Sequence, residues 1–137
     1  MNIILSIHPK WARLIYEGKK TIEWRKSIPM KMHPLKLRDG DSKVKVYIYE
    51  TSPMKLVTGF FYWGGVTIYD ARGMKEDDPR LINGQVGLEE LQKYQGDDCN
   101  ICAWHINKPI QFKGIIGIEQ FGLKRPPQSW CYTERDI

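Results

Sequence analysis

The stretch Lys43-Val44-Lys45-Val46-Tyr47-Ile48-Tyr49-Glu50 alternates β-branched residues with polar or aromatic ones at a period of two. That period fits a strand with two unlike faces and does not fit a helix. Residues 2–7, 20–25, 55–63, 100–106 and 110–119 carry related patterns and are read as strands. The strand at 55–63 stops at Gly64-Gly65 and resumes through Val66-Thr67-Ile68-Tyr69. Asn107-Lys108-Pro109 is read as the turn between the last two strands. Helical spacing occurs in two places. Trp11, Ala12, Leu14 and Ile15 form one apolar stripe, with Pro9 in the first turn and Gly18 as a left-handed stop. Leu88–Tyr94 forms the second helix. Residues 26–42 read as a basic loop carrying Lys26, Lys31, Lys36 and Arg38, along with Pro29, His33 and Pro34. Residues 70–86 read as polar and irregular, and the tail is expected to pack back through Trp130.

The order β-α-β-β-β-α-β-β predicts an α+β fold. Its mixed, mostly antiparallel sheet should curl into a small barrel with two or three flanking helices. A length of 137 residues fits one domain over 1–137. No apolar run is long enough for a transmembrane helix, and the N-terminal apolar segment lacks the basic flank of a secretion signal. Cys99, Cys102 and Cys131 make an odd count without such a signal, so reduced thiols and a cytoplasmic location are expected. Cys99 and Cys102 form a C-x-x-C within a strand pattern, which would send the thiols to opposite faces. Neither Cys131 nor His105 completes a metal-ligand pattern. No metal and no cofactor are expected.

The net charge of +5 is unevenly placed. Residues 1–60 hold twelve Lys/Arg against five Asp/Glu, whereas residues 61–137 hold nine against eleven. A basic N-terminal half suits a phosphate-rich partner and also suits plain solubility. No P-loop, dinucleotide fingerprint or Ser–His–Asp set is present. Lys20, Glu23 and Arg25 gather charge at a helix-to-strand junction. A bend after Gly18 would bring Lys20 toward Glu23 and Arg25, and the three would perturb one another's protonation. Glu23 would then serve as a base or hold Arg25 for a phosphate, and Lys20 would pair with a phosphate or carbonyl oxygen. His8 reads as a proton shuttle or as a simple helix-start residue. Trp63, Tyr47 and Tyr49 are read as the rings most exposed for base stacking, and Trp11 as a possible wall of a cleft. Lys124 and Arg125 read as phosphate contacts or as a solvated basic turn.

Gly18-Lys19-Lys20-Thr21-Ile22-Glu23-Trp24-Arg25 resembles the G-x-K-x-x-E-x-R signature of ASCH domains, a branch of the PUA-like superfamily. Trp104-His105-Ile106 and the segment Phe121–Trp130 are similar to that family as well. The resemblance implies a curled β-barrel with a cleft beside the motif, used on RNA or on a nucleoside or nucleotide. It places Gly18, Lys20, Glu23 and Arg25 at that cleft, with His8, Lys10, Trp11 and Lys26 around it. Some relatives of this kind remove an acyl group from a cytidine base, and others act as nucleases; in either case Lys20 and Glu23 would carry the chemistry. The acyl-removing relatives place a Thr three residues after the motif Lys. This chain has Glu23 there, and its Thr21 follows Lys20 directly. The expectation is an RNA- or nucleotide-binding domain, with a small hydrolase (amidohydrolase or ribonuclease) as the alternative and a ligand-free regulatory domain as a third reading.

Overall fold

The computed structural model describes residues 1–32 and 42–137. His33, Pro34, Lys36 and Arg38 of the basic loop lie outside the described residues. Among the described residues six strands form one sheet: β1 (Asn2–Ile7), β2 (Ile22–Arg25), β3 (Lys45–Glu50), β4 (Leu56–Tyr69), β5 (Ile101–Ile116) and β6 (Trp130–Thr133). Their spatial order is β2-β5-β4-β3-β1-β6. Only β1 and β3 run parallel; every other neighbouring pair is antiparallel. Three α-helices among the described residues flank the sheet: α1 (Pro9–Tyr16), α2 (Pro79–Gly84) and α3 (Leu88–Gln95). This is the expected α+β, PUA-like arrangement, a mixed sheet curled into a half-barrel. No helix among the described residues is long and apolar enough to cross a membrane.

β1 is buried at all six positions because both of its faces are covered. Ile3, Leu5 and Ile7 pack into the barrel interior with Val46, Ile48, Phe61, Trp63 and Trp104. Ile4 faces the other way, against Tyr47, Tyr49, Phe60 and Phe121. A near-continuous apolar run is what a doubly covered strand requires. Helix α1 starts as its sequence indicates: His8 caps it, its Nδ1 accepting the Lys10 N–H at 3.3 Å, and Pro9 follows at the first helical position. Gly18 then ends it with φ +78°, a conformation that costs a residue with a Cβ.

Several local readings are corrected. β4 does not stop at Gly64-Gly65 but continues to Tyr69, because bulges absorb the irregularity: its register against β5 shifts between Trp63 and Val66. Asn107-Lys108-Pro109 is no turn. Lys108 takes φ 44° inside one 16-residue strand, β5, so the two expected strands are a single bent one. The segment read as irregular contains α2, which Asp78 caps through its carboxylate and Pro79 opens. The tail contributes β6, paired with β1. Trp63, Tyr47 and Tyr49 are not exposed; Trp63 and Tyr47 are fully buried, Trp63 edge-on to Trp104 at 5.2 Å. Cys99 is exposed and Cys102 buried, and no group of three metal-binding side chains occurs among the described residues.

The long β4–β5 pairing depends on close backbone approach at Gly59, where a Cβ would collide with the Ile110 carbonyl oxygen and the Tyr16 hydroxyl. Backbone cannot swing aside as a side-chain tip can. Gly59→Ala is therefore expected to lower unfolding free energy by about 2 kcal/mol or more in chemical denaturation. Gly73→Ala, where a Cβ meets nothing within 4 Å, should stay within about 0.5 kcal/mol of the parent.

Candidate functional site

β2 begins only at Ile22, so Lys20 lies on the bend between α1 and the strand. The Lys20 N–H donates to the Leu14 carbonyl at 3.0 Å, which turns the chain back on α1. Lys20 and Glu23 would face opposite ways in a regular strand, and this bend brings them together. The Lys20 side chain is 1% exposed. Its Nζ donates to the Gly84 carbonyl at 2.5 Å and lies 3.3 Å from Glu23 Oε1. Glu23 Oε2 accepts from Arg25 Nη2 at 2.8 Å and from Nε at 3.2 Å. Arg25 continues outward: Nη2 donates to the Ser6 carbonyl at 2.9 Å, and Nη1 to Ser129 Oγ at 3.0 Å.

This chain of contacts joins the two edges of the sheet. Arg25 belongs to edge strand β2, while Ser6 is on β1 and Ser129 immediately precedes edge strand β6. Ser27, just past β2, reinforces the link, its Oγ accepting from Trp130 Nε1 at 2.8 Å. The backbone order leaves the barrel open, and polar side chains draw it shut. Burial holds the Lys20 ammonium below its ordinary pKa, and the Glu23 charge partly opposes that shift. Glu23, with a cation on each oxygen, is the shared counter-charge. A buried charge stripped of its partner costs about 3–5 kcal/mol, so Glu23 must keep at least one of its two cations.

Beside the trio lies a cavity of about 420 Å³. Lys20, Glu23 and Arg25 form one wall, and Trp11, Trp24 and Tyr94 supply aromatic surface. His8, Thr51, Glu90 and Gln128 bring polar atoms to the same space. Five of the eight residues expected at a cleft thus line it: His8, Trp11, Lys20, Glu23 and Arg25. Gly18 does not; it stops α1 so that Lys20 can turn in. Lys10 and Lys26 also lie off the lining, yet each sits over a lining ring. Lys10 Nζ is 4.9 Å from the centre of the Trp11 ring, and Lys26 Nζ is 5.3 Å from that of Tyr94 while also pairing with Asp98 at 3.5 Å. Lys124 and Arg125 are exposed and do not line this cavity.

Trp24, Glu90 and Tyr94 were not legible as site residues. Glu90 and Tyr94 are four apart on α3 and so share a helix face, a spacing that identifies neighbours but not what they face. Trp24 packs so closely on α2 that a Cβ at Gly84 would strike its indole nitrogen. That nitrogen is buried, with no hydrogen-bond partner among the described residues. Thr21 lines a different, smaller cavity with His105, Asn83 and Arg80, so it is separated from Lys20 as alternation suggested.

The family model for the ASCH domain matches residues 5–115. The chain belongs to the ASCH domain family. A curated relative, an ASCH domain-containing ribonuclease from Zymomonas mobilis subsp. mobilis, is 36% identical over 59 residues. The match spans 43% of this chain and only 34% of that protein's length. Among solved structures, ASCH from Zymomonas mobilis superposes with a TM-score of 0.75 at 23% identity, covering 98% of this chain and 88% of that one. A mutant form of the same protein gives 0.75 at 22% identity, covering 98% and 91%. At these identities the structural likeness concerns the ASCH fold alone.

The depressed Lys20 value has a measurable consequence. A folded-state pKa below the unfolded one means that the unfolded chain binds more protons between the two values, so stability rises with pH across that window. The window runs from the lowered Lys20 value up to its ordinary 10.5. Lys20→Met keeps the Glu23–Arg25 pair and should fold. The unfolding free energy of the parent minus that of Lys20→Met is expected to increase as pH rises toward 10.5, measured by urea denaturation at matched ionic strength.

Proposed function

We propose that this ASCH protein binds single-stranded RNA, seating one nucleotide in the cavity beside Lys20, Glu23 and Arg25. The observation that carries this reading is the meeting of aromatic walls with the polar groups of Lys20, Glu23 and Arg25 in one 420 Å³ space, with Lys10 and Lys26 standing over its rings. Trp11 and Tyr94 offer faces for a base, and base–aromatic stacking contributes about 1–3 kcal/mol per base. The trio has two cations and one carboxylate, and Glu90 on the same lining balances the remaining positive charge, so the phosphates are left to Lys10 and Lys26 at the rim. Lys10 and Lys26 flank the two rings and suit the phosphates on either side of a seated base. Gln128 and Thr51 supply groups that can read the edge of the base.

The groups of the trio are already engaged with one another and with the backbone. That saturation suits a rigid, preformed wall and favours binding over proton exchange by Glu23. A second reading, ribonuclease activity, has its own support: the curated relative carries that name, and His8 and Glu90 line the same cavity. Attack of a 2′-hydroxyl on the adjacent phosphorus would need one group to take the 2′ proton and another to protonate the leaving 5′ oxygen. His8 and Glu90 supply such a pair, and Lys20 would stabilise charge on the phosphoryl oxygens. The acyl-removing alternative finds no motif threonine in this cavity, because Thr21 lines another one.

Binding is expected to be salt-sensitive, because phosphate contacts release counterions. Trp11→Ala and Tyr94→Ala should each weaken affinity for a short single-stranded RNA by roughly tenfold in a fluorescence titration at low salt. Undetectable binding by the parent would leave the ligand-free regulatory reading. If the parent also cleaves RNA and Lys20→Ala, still folded, loses turnover, the ribonuclease reading takes precedence.

A further inference from the structure

The residues on either side of Gln128 are fastened to the sheet, and the Gln128 side chain is not. Ser6 Oγ donates to the Pro127 carbonyl at 2.6 Å, and the Ser6 N–H donates to the Ser129 carbonyl at 2.9 Å. Arg25 Nη1 adds a bond to Ser129 Oγ at 3.0 Å. Ser6 is buried on β1, so the anchor belongs to the sheet itself. Pro126 and Pro127 come just before, and each ring holds φ at about −65°, which removes freedom the tail would otherwise have. Beyond Ser129 the chain is pinned again, with Trp130 Nε1 donating to Ser27 Oγ at 2.8 Å. Gln128, between these anchors, is exposed and lines the 420 Å³ cavity. Its amide makes no hydrogen bond among the described residues.

Water satisfies such an amide in the free protein, so nothing in the fold requires it. Its backbone, by contrast, is already ordered, and a ligand that meets the amide does not have to supply that ordering. Other polar groups of the wall are differently employed. Lys20, Glu23 and Arg25 bond one another, and His8 caps α1. An amide carries a donor and an acceptor side by side. The edges of the pyrimidine bases carry the matching pair: cytosine an amino group beside a ring nitrogen, uracil a carbonyl oxygen beside an N–H. We propose that Gln128 is the base-reading residue of this cavity and that Ser6 is the positioning residue that holds it there. The proposal rests on the RNA-binding reading above and says how that site meets the base. No bond within the protein fixes which way the amide faces. It therefore turns to suit either pyrimidine and adds no preference between them.

The test is a titration of the full chain with oligocytidylate and oligouridylate of equal length, read as the ratio of the two affinities. Gln128→Ala should weaken both oligomers by roughly tenfold and leave the ratio at its parent value. Gln128→Glu can only accept, so the ratio should move roughly tenfold toward cytidine, whose amino group donates where uracil offers an oxygen. Gln128→Lys can only donate, and the ratio should move the other way. A side chain at a phosphate would change both affinities alike and leave the ratio fixed. Combined with Gln128→Glu, Ser6→Ala removes the hold on Pro127 and should return the ratio toward the parent value. Ser6→Cys, similar in shape but a weak donor, should return it too and serves if the alanine variant does not fold. A ratio that stays fixed in both charged Gln128 variants, or that changes in Gln128→Ala, would overturn the base-reading role. A shift that persists without the Ser6 hydroxyl would overturn the positioning role. With Trp11→Ala still weakening both oligomers, the RNA-binding reading would survive these results. Binding of neither oligomer by the parent would overturn that reading and this one together.

Discussion

Glu23 is held between two cations, and the rest of the site is arranged around that fact. Lys20 reaches one carboxylate oxygen from the bend after α1, at 3.3 Å, and Arg25 reaches the other from the same strand, at 2.8 Å. Arg25 then spends its remaining donors on Ser6 and Ser129. The result is a polar bolt between the edge strands of a sheet whose backbone order does not close. Two Coulomb pairs at low exposure are costly to form and more costly to break singly, which makes the geometry unusually well determined. The same bolt forms one wall of the cavity. Fold closure and the shape of the cavity therefore depend on the same three side chains.

That shared dependence gives the motif's residues unequal roles. Gly18 touches no ligand space, yet without a left-handed residue there the helix would run on and Lys20 would not turn inward. Lys20 and Arg25 contribute charge, Glu23 organises it, and the aromatic rings contribute surface. Lys10 and Lys26, which look like equal members of a basic patch in the sequence, instead stand over Trp11 and Tyr94. Cations placed over ring faces stabilise those rings' positions, and ring position is what stacking requires.

The parts of this molecule that were legible in the sequence are those governed by local rules. Alternation located β3, a Pro start and Gly stop bounded α1, and the spacing of Lys20, Glu23 and Arg25 marked a charged cluster that lines a cavity. The parts that were not legible depend on contacts between distant segments. β5 continues, bent, through Lys108-Pro109 because its pairing with β4 outweighs a local turn signal. Trp63, Tyr47 and Tyr49 looked exposed next to polar neighbours, but the sheet is covered on both faces and buries them. α2 did carry a local signal, Asp78-Pro79, in a segment whose polarity concealed it. Tyr94 and Glu90 face the cavity only because α3 packs beside β2, and helical spacing alone does not report such packing.

The central claim is that the space beside the Lys20–Glu23–Arg25 bolt receives the ligand, and the five tryptophans report on it directly. Trp11 and Trp24 line that cavity, whereas Trp63 and Trp104 lie in the barrel interior. The measurement is a titration of the ¹⁵N-labelled protein with a short single-stranded RNA, following the indole N–H resonances. The account predicts progressive shifts for Trp11 and Trp24, with Trp63 and Trp104 unmoved. Saturable binding that leaves Trp11 and Trp24 in place would contradict it.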